Sequence, residues 1–260
     1  MSIITLTSDW STSDFYVGAV KGKLLSRCGT SHIIDISHKI QSFNTTQAAF
    51  VVRNAYPNFP LGTIHLLFVN TEPSPEKPCL AVKANGHIFI GTDNGVFSLI
   101  IGENAEKIIK LPLNTSNPHS ALDVFCDAAA QLANGADISE LGTELDTFHV
   151  RMQFRPTIEN QTLTGSVIYV DSYQNAVTNI SRDLFKKVSQ NRNFEIYVQS
   201  KHYKITSISN KYSDVPVGEL LALFNSVDLL EIAINNGNVA RLLNLDTNST
   251  VRIEFKDKNN

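Results

Sequence analysis

The sequence predicts an α/β domain followed by a mainly β domain. Three observations carry that reading. Apolar, β-branched runs alternate with helical patterns through roughly the first 157 residues, the signature of strands joined by helices. Beyond about residue 158 the runs become short and are separated by Asn, Ser, Gly and Asp clusters, with few helical stretches. The 260-residue chain is 42% hydrophobic and 18% charged, which excludes disorder and leaves room for one large domain or two modest ones. We place the boundary between 1–157 and 158–260.

Taken in order, Ile3–Thr7 reads as a short strand ending in the polar turn Ser8–Asp9–Trp10–Ser11. A helix is expected from Ser13 to Ser26, with Phe15, Val17, Val20, Leu24 and Leu25 on one face. Ile33–Ile36 is a second strand, and Thr45–Tyr56 a helix stopped by Pro57 and Pro60. Ile64–Val69 is continuously apolar, as a strand covered on both faces must be. Leu80–Lys83 and Ile88–Ile90 read as a hairpin around Ala84–Asn85–Gly86, because Asn-Gly accepts the positive φ of a tight turn. Ala121–Asn134 is a helix with Asp123 in its first turn and Gly135 just past its end. In the second domain Gly165–Asp171, Phe194–Val198, Tyr203–Ile208, Leu229–Ile234 and Val251–Phe255 read as strands, with short helices at Ser181–Val188 and Val239–Leu243.

Composition excludes several functions. Twenty-two Lys and Arg against 25 Asp and Glu give a net charge of −3, with no basic run for nucleic acid or anionic lipid. Cys28, Cys79 and Cys126 are far apart and odd in number, suggesting neither a disulfide framework nor a zinc site. The start lacks the charged and apolar regions of a signal peptide, and no run approaches a membrane span. A cytoplasmic, reducing setting is the default expectation. Nucleotide-binding glycine motifs, zincin motifs and the nucleophile elbow are absent. His32, His65, His87, His149 and His202 are expected to be surface or hydrogen-bonded histidines.

Polar clusters sit where open α/β sheets place ligands, at strand ends. Asp9 can hold a diol or cap the following helix, and local evidence favours the cap. Asn70–Thr71–Glu72 follows the buried strand, and Thr92–Asp93–Asn94–Gly95 is a turn signature before it is a binding loop. Asp171–Ser172–Tyr173–Gln174–Asn175 gathers a carboxylate, an aromatic ring and an amide, a mix suited to an adenine or an amino acid and equally to an ordinary turn.

In their order along the chain these segments resemble the S-adenosyl-L-methionine (SAM) hydroxide adenosyltransferase family, which is related to the SAM-dependent fluorinase and chlorinase. The matching pieces are Thr7–Ser8–Asp9 with Tyr16–Val17–Gly18 and Lys21–Gly22, then Asp35–Ile36–Ser37–His38, Asp93–Asn94–Gly95, and Asp123–Val124–Phe125 with Ala128–Ala129–Ala130. They continue through Val170–Asp171, Asn175–Ala176–Val177–Thr178–Asn179–Ile180, Asn225–Ser226, Leu230–Glu231–Ile232–Ala233 and Gly237–Asn238. The resemblance implies a barrel-like C-terminal domain, a homotrimer with sites between subunits, and no cofactor or metal beyond SAM as substrate. It implies displacement of methionine from ribose C5′ by water or hydroxide, giving adenosine. By similarity, Asp9 would grip the ribose, Phe43 would wall the sugar, and Tyr173 and Tyr212 would flank adenine. Asn175 and the backbone near Asn236 would read the adenine edge, while Asp171 and Ser226 would hold the methionine ammonium.

The family's water-handling Asp, Arg and His positions correspond here to Asn70, Lys77 and Ser120, with His119 one residue early. Ala121 stands where the fluorinase has a serine beside fluoride, and Val227 where halogenating members have Arg. Two alternatives therefore accompany the hydrolase expectation: a SAM- or adenosine-binding protein with weakened catalysis, or adenosyl transfer to another small nucleophile such as chloride.

Overall fold

Ile3–Ser8 forms β1 in the computed structural model, which describes residues 2–113, 120–152 and 154–256. Two compact units divide the chain, Met1–Gln153 and Phe154–Asn260. In the first, β1 is followed by α1 (Phe15–Arg27), β2 (His32–Ser37), α2 (Thr45–Ala55), β3 (Ile64–Phe68), β4 (Cys79–Ala84) and β5 (His87–Thr92). Then come α3 (Val96–Ile101), β6 (Lys107–Lys110), α4 (Ser120–Ala133) and β7 (Thr143–Glu144). The sheet order is β2-β1-β3-β5-β4-β6-β7. The first four strands pair in parallel, and β4, β6 and β7 extend them antiparallel.

Every residue of β3 is buried, which is why that run carries no polar alternation. Ile4, Leu6, Leu66 and Phe68 pack toward Val20 and Leu24 of α1 and Phe125 and Ala129 of α4. On the other face Leu67, Val82 and Phe89 meet Ala48, Ala49 and Val52 of α2 and Leu99 and Ile100 of α3. The expected α1 face narrows: Val20 and Leu24 are buried, while Phe15 and Leu25 are exposed. Residues 20 and 24 lie one helical turn apart, and 15 and 25 project away from their stripe. The β4–β5 hairpin turns at Asn85 (φ 51°) and Gly86 (φ 77°). A side chain at Gly86 would also stand 2.8 Å from Leu61.

Between the α2–α3 layer and the sheet lies a buried polar string. Thr5 Oγ1 is 2.7 Å from His65 Nδ1, and His65 Nε2 is 3.1 Å from His87 Nδ1. Tyr56 and Phe89 close around both rings. Burial, then the neighbouring His87, pushes the His65 pKa down to about 3 from an ordinary 6.5. The unfolded chain therefore takes up a proton first as pH falls. This contribution to stability is intact above about pH 6.5 and drains away toward pH 3, reaching about 2 kcal/mol by about pH 5. Thermal unfolding midpoints should fall across that window, and His65→Gln should flatten the slope. A slope untouched by the substitution would exclude His65 as its source.

The second unit contains β8 (Thr157–Glu159), β9 (Thr162–Val170), β10 (Ala176–Ser181), α5 (Arg182–Ser189), β11 (Asn193–Val198) and β12 (Ser200–Ile205). It ends with β13 (Ile208–Ser209), β14 (Leu220–Phe224), β15 (Leu229–Ile234), α6 (Val239–Leu242) and β16 (Thr250–Lys256). The order is β12-β11-β16-β9-β10-β15-β14-β13, with β8 also paired to β9. The sheet curls until β12 touches β14, giving a near-closed barrel around Leu163, Ile180, Ile196, Leu230, Ile232 and Ile253. The single strand expected over Tyr203–Ile208 is two: β12 stops at Ile205, and β13 starts at Ile208 to pair parallel with β14.

Candidate active site

At the carboxyl ends of β1, β2, β3 and β5 four loops are knotted by side chains. Asp9 follows β1 directly, and its Oδ2 accepts from the backbone N–H of Phe43 (2.8 Å) and of Asn70 (3.2 Å). The expectation that Asp9 caps α1 is thus corrected. The residue entering that helix is Asp14, whose carboxylate accepts from Ser11 N. Asp9 is drawn away because two loops bring otherwise unpartnered N–H groups to it. Among the described residues none bonds Oδ1. Phe43 has φ 64° and is 73% exposed. Asn70 has φ 48°, a left-handed conformation that Asn accepts more readily than most residues.

The Asp93–Asn94–Gly95 turn completes the knot. Asn94 Nδ2 donates to the carbonyls of Val69 and Asn70 at 3.0 Å each. The Asp93 carboxylate accepts from His149 N at 2.9 and 3.0 Å, and burial, outweighing that bond, raises its pKa. Gly95 (φ 88°) lies against Arg151, whose Cβ a side chain there would meet at 2.8 Å. Arg151 Nη1 in turn donates to Thr45 Oγ1 at the start of α2 (2.6 Å). Sequence reasoning missed Arg151; the tight Asp-Asn-Gly turn was its only trace. Lys77 lies exposed in a Ser74–Lys77 turn after Asn70. Ser120 heads α4, and His119 falls outside the described residues.

Behind Asp9, the Asp35–Ile36–Ser37–His38 motif locks the end of β1 to β2. Ser8 Oγ is 2.7 Å from His38 Nδ1, and both residues are buried. His38 Nε2 stands 3.1 Å from Asp35 Oδ1, off the line of a good hydrogen bond, and Lys21 pairs with Asp35 at 2.6 Å. Burial pushes the Asp35 carboxyl up, but Lys21 and His38 outweigh it and hold it below the usual range. These are the residue types of a nucleophilic triad, but the serine has no solvent access, so the set serves as a clamp.

The second unit has a cavity of about 440 Å3 lined by Tyr173, Asn175, Tyr212 and residues 234–238, within the roughly 300–1,000 Å3 span of small-molecule sites. Four residues expected to contact adenine (Tyr173, Asn175, Tyr212 and Asn236) therefore line one space. Asp171 closes the β9–β10 turn: its Oδ1 accepts from Asn175 N (2.8 Å) and its Oδ2 from Asn175 Nδ2 (3.1 Å). With its amide nitrogen engaged, Asn175 keeps its side-chain oxygen as an acceptor. Asn236 (φ 52°) crosses a turn closed by Gly237 N to Ile234 O, where a side chain at Gly237 would stand 2.4 Å from Ile234. Ser226 is exposed in the β14–β15 turn, at the other end of β15, shaped by Asn225 Oδ1 accepting from Val227 N and Leu229 N. Tyr212 donates to Glu231 Oε1 at 2.7 Å, and burial together with that bond raises its pKa strongly. Among the described residues, no three His, Cys, Asp or Glu side chains are grouped to hold a metal, and no helix is long and apolar enough to cross a membrane.

Comparison with known proteins covers both units. The family model described as the SAM hydroxide adenosyltransferase N-terminal domain matches residues 4–142, and its C-terminal domain model matches residues 165–252. A Methanocaldococcus jannaschii protein named (R)-S-adenosyl-L-methionine hydrolase is 29% identical, across 98% of this chain and 97% of its own length. A Thermus thermophilus protein of the same name is 27% identical, across 97% of this chain and 100% of its own. A solved structure of an uncharacterized conserved protein from Thermotoga maritima superposes with a TM-score of 0.84 at 28% identity, covering 96% of this chain and 99% of that one.

Proposed function

The chain belongs to the SAM hydroxide adenosyltransferase family, and from that premise we propose that it displaces L-methionine from C5′ of SAM with water or hydroxide, releasing adenosine. The observation that carries this reading is the cavity flanked by Tyr173 and Tyr212, with the Asn175 amide nitrogen held by Asp171 so that its oxygen is left as an acceptor. Aromatic walls and an acceptor suit adenine, and ring faces suit a sulfonium.

In the reaction the oxygen–C5′ bond forms as the C5′–sulfur bond breaks, and the bonding pair neutralises the sulfonium. A water nucleophile sheds its proton to solvent. The leaving group is a neutral thioether that needs no acid, so rate comes from alignment and exclusion of bulk water. Asp9 grips the ribose hydroxyls through Oδ1, while Oδ2 keeps Phe43 and Asn70 in place. Phe43 walls the sugar, Asp171 and Ser226 hold the methionine ammonium, and the backbone near Asn236 meets adenine. Asn70, Lys77, Ser120 and His119 form the water-handling set. An amide at 70 orients a water but does not deprotonate it, and this feature favours the second reading, a SAM-binding protein with weakened turnover. The exposed rings of Phe43 and Tyr173 suit a homotrimer whose subunits cover each other's sites, and three buried free cysteines suit a reducing cytoplasm.

Incubation of the purified protein with SAM, followed by chromatography with and without chloride, tests the reading. Adenosine and methionine should accumulate in equal amounts, unaffected by chloride. Bound SAM that survives for days would replace it with the binding-protein reading, and 5′-chloroadenosine with a halide acceptor.

A further inference from the structure

The cavity lining in the second unit carries no formal charge. Behind it stand two carboxylates, each tied to one lining side chain: Asp171 to Asn175 and Glu231 to Tyr212. Glu231, on β15 between β10 and β14, is 4% exposed. Its Oε1 accepts from Tyr212 O–H (2.7 Å) and its Oε2 from Asn225 Nδ2 (3.2 Å). Both oxygens are thereby engaged, one by the Tyr212 hydroxyl and the other by the Asn225 amide, which fixes the carboxylate against the cavity wall. Among the described residues no Lys, Arg or His side chain forms an ion pair with Glu231. A buried charge without a counter-ion opposes folding, so stability does not account for it.

We propose that Glu231 is a specificity-determining residue, acting through Tyr212, that makes this cavity prefer a cationic adenosyl ligand to a neutral adenosyl thioether. The inference rests on the SAM reading of the same cavity. Glu231 acts in two ways. Its charge lies one hydrogen bond behind a ring that lines the cavity, so the field inside favours a positive ligand. Accepting a hydrogen bond from the phenol, which keeps its proton, also leaves more electron density in the Tyr212 ring, strengthening its attraction for a cation. The second oxygen anchors Asn225, which shapes the Ser226 turn. The attraction belongs to the charged state alone. Once the sulfonium has become a thioether it disappears, so the same residue that draws in substrate favours release of neutral products.

Two non-hydrolysable probes test this by calorimetry: sinefungin, which carries a protonated amine near the sulfonium position, and S-adenosylhomocysteine, the neutral thioether. Glu231→Gln should weaken sinefungin binding by roughly tenfold, leave S-adenosylhomocysteine within about threefold, and place the loss for SAM on KM. Tyr212→Phe, which keeps the ring and removes the hydrogen bond, should narrow the preference in the same direction and carries the test if Glu231→Gln does not fold. Equal losses for both probes, or no loss for either, would overturn the proposal. A wild-type protein that takes up neither probe would overturn the SAM reading itself, visibly before any variant is compared.

Discussion

Replacing Asp9 with alanine will weaken SAM binding by about a hundredfold or more, on the scale of two charge-assisted hydrogen bonds at about 1.5–3 kcal/mol each. The same carboxylate has a structural task, because Oδ2 accepts from the backbone of both Phe43 and Asn70. Asp9→Ala therefore also frees two N–H groups in half-open loops, and unfolding should come only a few degrees earlier. Asp9→Asn separates the effects: its amide oxygen can still accept from the loops while the charge offered to the ribose is gone. Calorimetry and thermal unfolding on both variants decide the matter. Unchanged affinity in Asp9→Ala would remove the residue from ribose binding and leave it as a loop tie.

The combined substitution Asn70→Asp, Lys77→Arg and Ser120→His will raise adenosine formation by about 10²- to 10⁴-fold, the usual yield of a positioned general base. Position 70 can take the change, because Asp tolerates its left-handed backbone nearly as well as Asn. Asp9, bonded to the N–H of residue 70, places a second negative charge nearby, which favours a raised pKa and a stronger base at 70. Arg in place of Lys77 restores a planar fork able to orient the attacking water. Turnover measured against pH is the readout. If the triple variant stays at the wild-type rate, either the correspondence of positions or the identity of the nucleophile is wrong.

Where local chemistry dictated local structure, the sequence was readable. Asn85–Gly86 turned a hairpin, the unbroken Ile64–Val69 run lay buried inside the sheet, and Asp123 fell in the first turn of α4. Val96–Ile101 is a helix and Leu220–Phe224 a strand, yet both are short apolar runs that periodicity alone does not assign. Lys107–Lys110 becomes a strand because β4 offers it an edge, information held outside its own residues.

The same division runs through the site. The glutamate behind Tyr212 is 19 positions along the chain, and Arg151 reaches Thr45 across 106; no spacing rule connects such pairs. Asp9 shows the opposite hazard. Its place before a helix argued for a cap, and only the arrival of two loops from elsewhere in the sheet gave its carboxylate different donors.

The chain's single tryptophan follows Asp9 and packs its ring against Phe68 (4.9 Å) and Tyr16 (5.4 Å). That gives the molecule a spectroscopic reporter of its own. With excitation at the red edge of the indole band, where tyrosine is silent, all emission comes from one neighbourhood. A ligand seated at Asp9 should shift it, so occupancy of the ribose position can be followed optically in the unlabelled protein.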